Sequence, residues 1–287
     1  TQRSKLRSGI VSADYPSPVA EDWPDLLEIV DRRVKPDRLK QKRERRSRLW
    51  WQYAEAAPKL YRAIEDIEHV LAISCGASPH LSISRLSSKA VFSHALCVLA
   101  FGELAPFAVL QSRIHEVWAR FFSSSMKDDL RYAPSDCFET FPFPEGYEAN
   151  ERLEQIGQVY HDHRAALMID ASEGTTRTYN RFHKADERGA PIQRLRELHD
   201  QMDCAVLRAY GWQDLADELH AEFLTEETED DHTYQGRYFW NAEGRDRVLA
   251  RLLELNAARH LEEVRIGIAP KGSARSDKDG EETEGLD

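Results

Sequence analysis

Apolar positions along the chain fall into stretches of different period, and each period predicts a different kind of element. Residues 1–34 mix Ser, Pro and Asp around one short apolar helix candidate, WPDLLEIVDRRV, and read as a connector. Residues 35–54 are rich in strong helix formers and end on Trp50, Trp51 and Tyr53, an apolar anchor for a basic helix. Adjacent helix positions cannot both face a ligand, so the tryptophan pair reads as core before base-stacking platform.

From His69 the period shortens. HVLAIS, HLSISRL and AVFSHALCVLAF are short β-branched or apolar runs separated by GASP and SSK, which predicts strands joined by turns. In HLSISRL, His80, Ser82 and Ser84 fall on one face and Leu81 and Ile83 on the other, giving one polar and one buried surface. Strict alternation puts Arg85 with the buried pair. Helical spacing returns over 103–122, where Phe107, Leu110, Ile114, Val117, Trp118 and Phe121 make an apolar stripe opposite Arg113, Glu116 and Arg120. Further helices are predicted over 153–168, over 192–210 with Pro191 in its first turn and Gly211 at its end, and over 248–261. The expected fold is α+β: a small mixed β-sheet packed with helices over 35–147, a helical domain over 148–266, and a disordered acidic tail over 267–287.

Charge changes this picture locally. The chain of 287 residues carries a net charge of −11, which taken whole disfavours a polyanionic partner. Yet residues 35–48 hold eight basic side chains, Arg43, Arg45 and Arg46 among them, against two acids, a local charge of +6. Such a run is either a solvated helix face or a phosphate-binding arm. The acidic excess lies elsewhere, in EFLTEETEDDH and in the last twelve residues.

The segment SSMKDDLRYAPSDCFETFPFPE at 124–145 sets Lys127, Arg131 and Tyr132, a grouping suited to phosphate and base-edge contact, before a proline-rich exit that Phe138, Phe141 and Phe143 must pin. Ser82, Ser84, Arg85 and Lys89 on or beside the polar strand face have the donors that read base edges; the alternative is an ordinary solvated strand. The polar stretch EGTTRTYNRFHKADERG at 173–189 has side chains able to touch phosphate. His161 and His163, two apart on a helix, point in different directions and do not form a metal pair. Cys75, Cys97, Cys137 and Cys204 have no metal-ligand spacing and read as buried thiols. No apolar run nears the roughly 20 residues of a membrane span, and TQRSKLRSGI has no apolar signal core, so a cytoplasmic chain without membrane contact is expected.

Three further blocks, RLWWQYAEAAPKLYRAI, FAVLQSRIHEVWARFF and LRELHDQMDCAVLRAYGW, read in order with the 124–145 segment, resemble the carboxy-terminal half of fused type IIG/IIL restriction-modification methyltransferases, the MmeI-like class. The resemblance runs from about residue 34 to 256. It implies a target recognition domain and helical tail that follow an adenine-N6 methyltransferase domain, with double-stranded DNA and that catalytic domain as partners. In this setting Arg43, Arg45, Arg46, Lys127 and Arg131 would hold phosphates, and Ser82, Ser84, Arg85, Lys89 and Tyr132 complete the expected DNA-binding set. A Tyr-Asn-Xaa-Phe-His stretch like that at 179–183 would belong to a connecting loop.

The chain has neither the Gly-rich cofactor loop nor the Asn/Asp-Pro-Pro-Tyr/Phe loop that such a methyltransferase needs. It also lacks a nuclease Asp followed by Glu-Xaa-Lys on a strand, and any nucleophile elbow. No catalytic or metal residue is therefore expected here, and S-adenosylmethionine is expected in the catalytic domain. The resemblance thus implies a sequence-specific DNA recognition module in bacterial phage defence. The competing reading is a protein-interaction subunit of a defence complex, docking through the helical tail and acidic segment.

Overall fold

The computed structural model describes residues 10–12, 15–52, 57–123 and 129–268, in two compact units, Thr1–Arg62 and Ala63–Asp287. In the first, α1 (Pro24–Arg33) starts with proline at its first position, where the missing N–H costs no bond. The basic stretch forms two short helices, α2 (Lys35–Leu39) and α3 (Glu44–Arg48), not the one expected over 35–54. Arg38, Lys42 and Arg46 would stack four apart on a continuous helix, and like charges at that spacing repel. The break falls between them, with extended backbone at Arg43. Trp50 and Trp51 lie past the helix end, edge to face at 5.9 Å; Lys35 Nζ sits 4.8 Å over the Trp50 ring, and Trp51 is 40% exposed. The expected core role of this pair is therefore corrected: no described residue of the first unit is buried. Tyr53 lies outside the described residues.

The second unit follows α4 (Pro58–Ala63) and holds the core. Strands β1 (His69–Ser74), β2 (Ser84–Ser87) and β3 (Leu96–Leu99) form a sheet of order β2-β1-β3, antiparallel throughout. The α+β class stands, but the sheet is not mixed. The links between its strands are too short for the crossover a parallel pair requires. The predicted strand HLSISRL is paired only from Ser84, because the backbone of 81–83 is held by side chains instead: Gln111 Nε2 donates to the Leu81 carbonyl, and Ile83 N donates to Gln111 Oε1.

Helical spacing over 103–122 resolves into α5 (Ala105–Gln111) and α6 (Arg113–Phe122), parted at Ser112, whose hydroxyl caps α6 by accepting from His115 N. The stripe from Phe107 to Trp118 is buried as expected, whereas Phe121 is 56% exposed. Helix α7 (Glu151–Asp170) lies across α5 so closely that a Cβ on Gly157 would stand 2.3 Å from the Leu104 carbonyl oxygen. One turn earlier, Glu154 Oε2 accepts from the backbone N–H groups of Leu104 and Ala105, capping α5. Gly157→Ala is accordingly expected to cost about 1–3 kcal/mol, since one backbone must move away from the other. A urea midpoint lower than wild type at unchanged slope checks this; an unaltered midpoint would mean the helices separate freely.

Residues 175–183 form helix α8 (Thr175–His183), where a connecting loop was expected; Tyr179 and Phe182 carry its buried face. Helix α9 (Ala190–Ala209) packs along α7, α10 (Gln213–Glu218) follows, and the hairpin β4 (Glu222–Phe223) and β5 (Tyr238–Phe239) precedes α11 (Ala242–Arg265). Within the acidic run, Glu229 is buried and binds Arg245 at 2.7 Å, so this carboxylate is structural.

Candidate nucleic-acid interface

Directly opposed residues of an antiparallel sheet share a face, and the register assigns the two faces. Leu71 opposes Arg85 and Leu99, and Ile73 opposes Cys97; with Leu81 and Ile83 these positions form the face toward the core. Ala72 opposes Ser84 and Val98, and Ser74 opposes Leu96, on the other side. That second face floors a trough of about 380 Å³ whose polar wall is Ser74, His80, Ser82, Ser84, Thr175 and Thr176. The Ser82 hydroxyl is buried there without a hydrogen-bond partner.

The trough is rigidly backed. Arg164, 4% exposed, donates through Nη2 to the Ile83 carbonyl at 2.7 Å and through Nη1 to Gln111 Oε1 and the Tyr179 hydroxyl. Small polar side chains on a fixed backbone, with free donor and acceptor capacity, suit the reading of base edges.

The other expected contact residues divide. Arg85 lies on the core side and its Nη2 donates to the Gly102 carbonyl at 3.3 Å, so it does not face the trough. Tyr132 is corrected outright: it is 1% exposed and bonds His115 Nε2 at 3.0 Å, because the aromatic ring fills the core beside α6. Arg131 is exposed, with its backbone tied to Ser123 Oγ, and Lys89 is exposed in the turn after β2. Lys127 lies outside the described residues. Arg43 and Arg45 are exposed and Arg46 half-buried in the first unit. The face of α6 carrying Arg113, Glu116 and Arg120 is buried and internally paired, Arg120 to Glu116 at 2.7 Å and Arg113 to Asp200 and Asp203, which settles the choice between ion-pair ladder and DNA contact.

At the rim, His80 Nε2 meets Asn180 Oδ1 at 2.7 Å and the ring stacks on His183 at 5.0 Å. Burial holds His80 below its ordinary pKa against the opposing Asn180 bond, and nearby Arg237 lowers it further. The sequence pattern gave no sign of Arg237, which reaches this place only through the β4–β5 hairpin. Among the described residues, no group of three or more His, Cys, Asp and Glu side chains is placed to hold a metal.

Residues 20–145 match the family model of the MmeI target recognition domain. That segment is similar to the MmeI target recognition domain. The match contains the basic helices, all three strands of the sheet, and α5 and α6. A curated relative, DNA methyltransferase A of Bacillus subtilis (strain 168), is 25% identical over 131 residues, 46% of this chain and 14% of its own length. A solved structure of the type IIL restriction-modification enzyme MmeI in complex with DNA is similar in fold, with a TM-score of 0.50 and 15% identity over 90% of this chain and 30% of that one. The fold likeness therefore extends past the recognition domain family match into the helical part. The chain spans less than a third of the length of either relative.

Proposed function

We propose that the chain is the sequence-specific DNA recognition module of a bacterial S-adenosylmethionine-dependent adenine-N6 DNA methyltransferase or restriction-methyltransferase, serving phage defence in the cytoplasm. The family match over 20–145 carries the reading, because it covers the sheet whose free polar face forms the trough. In this reading double-stranded DNA lies across that face, Ser82 and Ser84 read base edges, and exposed cations hold phosphates. A methyltransferase domain, on the same or a separate chain, binds the cofactor and receives the flipped adenine.

Fluorescence anisotropy with a random-sequence duplex at two salt concentrations tests the central claim. Affinity should fall steeply with salt, since each neutralised phosphate releases counterions. Salt-insensitive or absent binding would instead favour a protein-interaction subunit. Replacing Arg43, Arg45 and Arg46 with Glu should weaken all duplexes alike, while Ser82→Ala or Ser84→Ala should change sequence preference by about 1–3 kcal/mol per lost base contact. The purified chain should transfer no tritiated methyl group from S-adenosylmethionine to plasmid DNA above a heat-killed control.

A further inference from the structure

A second cavity, about 470 Å³ and open to solvent, adjoins the trough and shares Pro79 and His80 with it as a common wall. Its remaining lining includes Asn180, His183 and Lys184 of α8 and its C-terminus, and Arg237 of the hairpin; among the described residues Asp129 is the one carboxylate of the lining. Arg237 is 7% exposed. Its Nε donates to the Thr233 carbonyl at 2.7 Å and its Nη2 to the Pro79 carbonyl, but Nη1 has no hydrogen-bond partner.

That guanidinium is loosely paired among the described residues. Its Nη1 lies 3.6 Å from Glu116 Oε1, which also takes the hydrogen bond of Arg120. Asp129 acts on it from the cavity lining. Lys184 adds a cation whose pairing with Asp186 is solvent-exposed and so weak. His80 also keeps a buried Nδ1 without a partner. The buried Arg237 charge is met by Glu116 at ion-pair distance without a hydrogen bond, so a further anion in the adjoining cavity would stabilise it. Among the described residues the lining carries Lys184 and Arg237 against Asp129, the space is ample for a tetrahedral anion, and the base-reading trough shares the Pro79–His80 wall.

We infer that this cavity receives a backbone phosphate of the DNA whose bases lie in the trough, held by Lys184, Arg237 and the His80–Asn180 pair. The inference rests on the proposed DNA-recognition reading and adds to it a phosphate site whose cations, on α8 and the hairpin, lie outside the matched family segment. It orients the strand: one wall, Pro79 and His80, separates the phosphate from its base.

The test measures binding of a random-sequence duplex to the chain over a salt series, for wild type, Lys184→Ala, Lys184→Glu and Asn180→Asp. Arg194→Ala, on the exposed side of α9, serves as control. All these positions are exposed, and a thermal melt confirms that each variant folds. Loss of one phosphate contact should flatten the slope of log K against log salt by about 0.9 in Lys184→Ala. Both charge-adding variants should weaken binding further, with the control unchanged. Titration of wild type with inorganic phosphate should also move the His80 and His183 ring resonances. Wild-type binding with an unchanged slope in all three pocket variants would overturn the phosphate site and leave the recognition reading standing. Absence of salt-dependent binding by wild type would overturn both.

Discussion

Between about pH 6 and pH 4.5 the second unit is expected to lose stability at about 3 kcal/mol per pH unit, unfolding cooperatively before most carboxylates titrate. Three imidazoles drive most of this, and His80, also held below its ordinary value, adds in the same sense. His115 and His199 sit in the core and His183 lines the cavity beside Arg237; burial depresses all three, His115 to about 3, while Arg237 lowers His183 and Arg113 lowers His199 further. The folded state keeps them neutral, whereas the unfolded chain protonates them near 6.5, so below that value the unfolded state binds more protons and stability falls with pH. Asp203 acts in the opposite sense. Burial pushes its carboxyl up to about 7 against the pull of Arg113, so the folded state gains one proton on acidification. Two net protons remain. Glu116, which Arg120 and Arg237 hold below its usual value despite burial, contributes only at lower pH. Urea midpoints at pH 7.5, 6, 5 and 4.5 measure the slope, and His115→Gln should reduce it by roughly half. A flat profile from pH 6 to 4.5 would mean that these rings are protonated in the folded state.

Those histidines also mark how far the sequence could be read. Strand β1 coincides with HVLAIS, and the helices over 153–168 and 248–261 are present with longer ends, that over 192–210 starting two residues earlier and stopping at Ala209, because apolar period follows burial and burial here is one-sided. The breaks were less legible. Ser112 lies within an unbroken apolar stripe, and only its capping bond and the seating of Arg113 on α9 divide that helix. The segment 80–83 has strand alternation but takes its hydrogen bonds from Gln111 and Arg164, which lie 28 residues or more away in the chain.

For the site, alternation correctly separated Ser82 and Ser84 from Leu81 and Ile83, and it correctly placed Arg85 with the latter pair. It could not separate Tyr132, a core ring, from Arg131, an exposed cation, since both stand in one irregular loop. Nor could any local pattern find Arg237 or bring Asn180 to His80, contacts made across 158 and 100 residues. Polar residues in a helix face and polar residues in a binding cavity have the same composition; only tertiary contact distinguishes them.

Arg113→Met is expected to destabilise the second unit by about 3–5 kcal/mol at pH 8, where Asp203 is ionised, because it leaves a buried carboxylate unpaired. Arg113 is 1% exposed; its Nη1 donates to Asp203 at 2.6 Å and to Asp200 at 2.8 Å, and its backbone N–H donates to Asp203 Oδ1. Its guanidinium also lies 5.1 Å from the Tyr238 ring and 5.7 Å from the Phe239 ring. One side chain thus ties α6 to α9 and to the hairpin that presents Arg237. Asp203 and Asp200 outweigh burial and keep the guanidinium charged. If the ion pair is the cause of the loss, removing both charges should be milder than removing one: Arg113→Met combined with Asp203→Leu should recover at least half of the lost stability. A further readout separates packing from charge. As pH is lowered from 8 toward 6, Arg113→Met should gain on wild type, because protonating Asp203 relieves the unpaired carboxylate in the variant. An Arg113→Met protein within 1 kcal/mol of wild type at pH 8, or a deficit that does not shrink as the pH falls, would show that the hairpin is held without this ion pair.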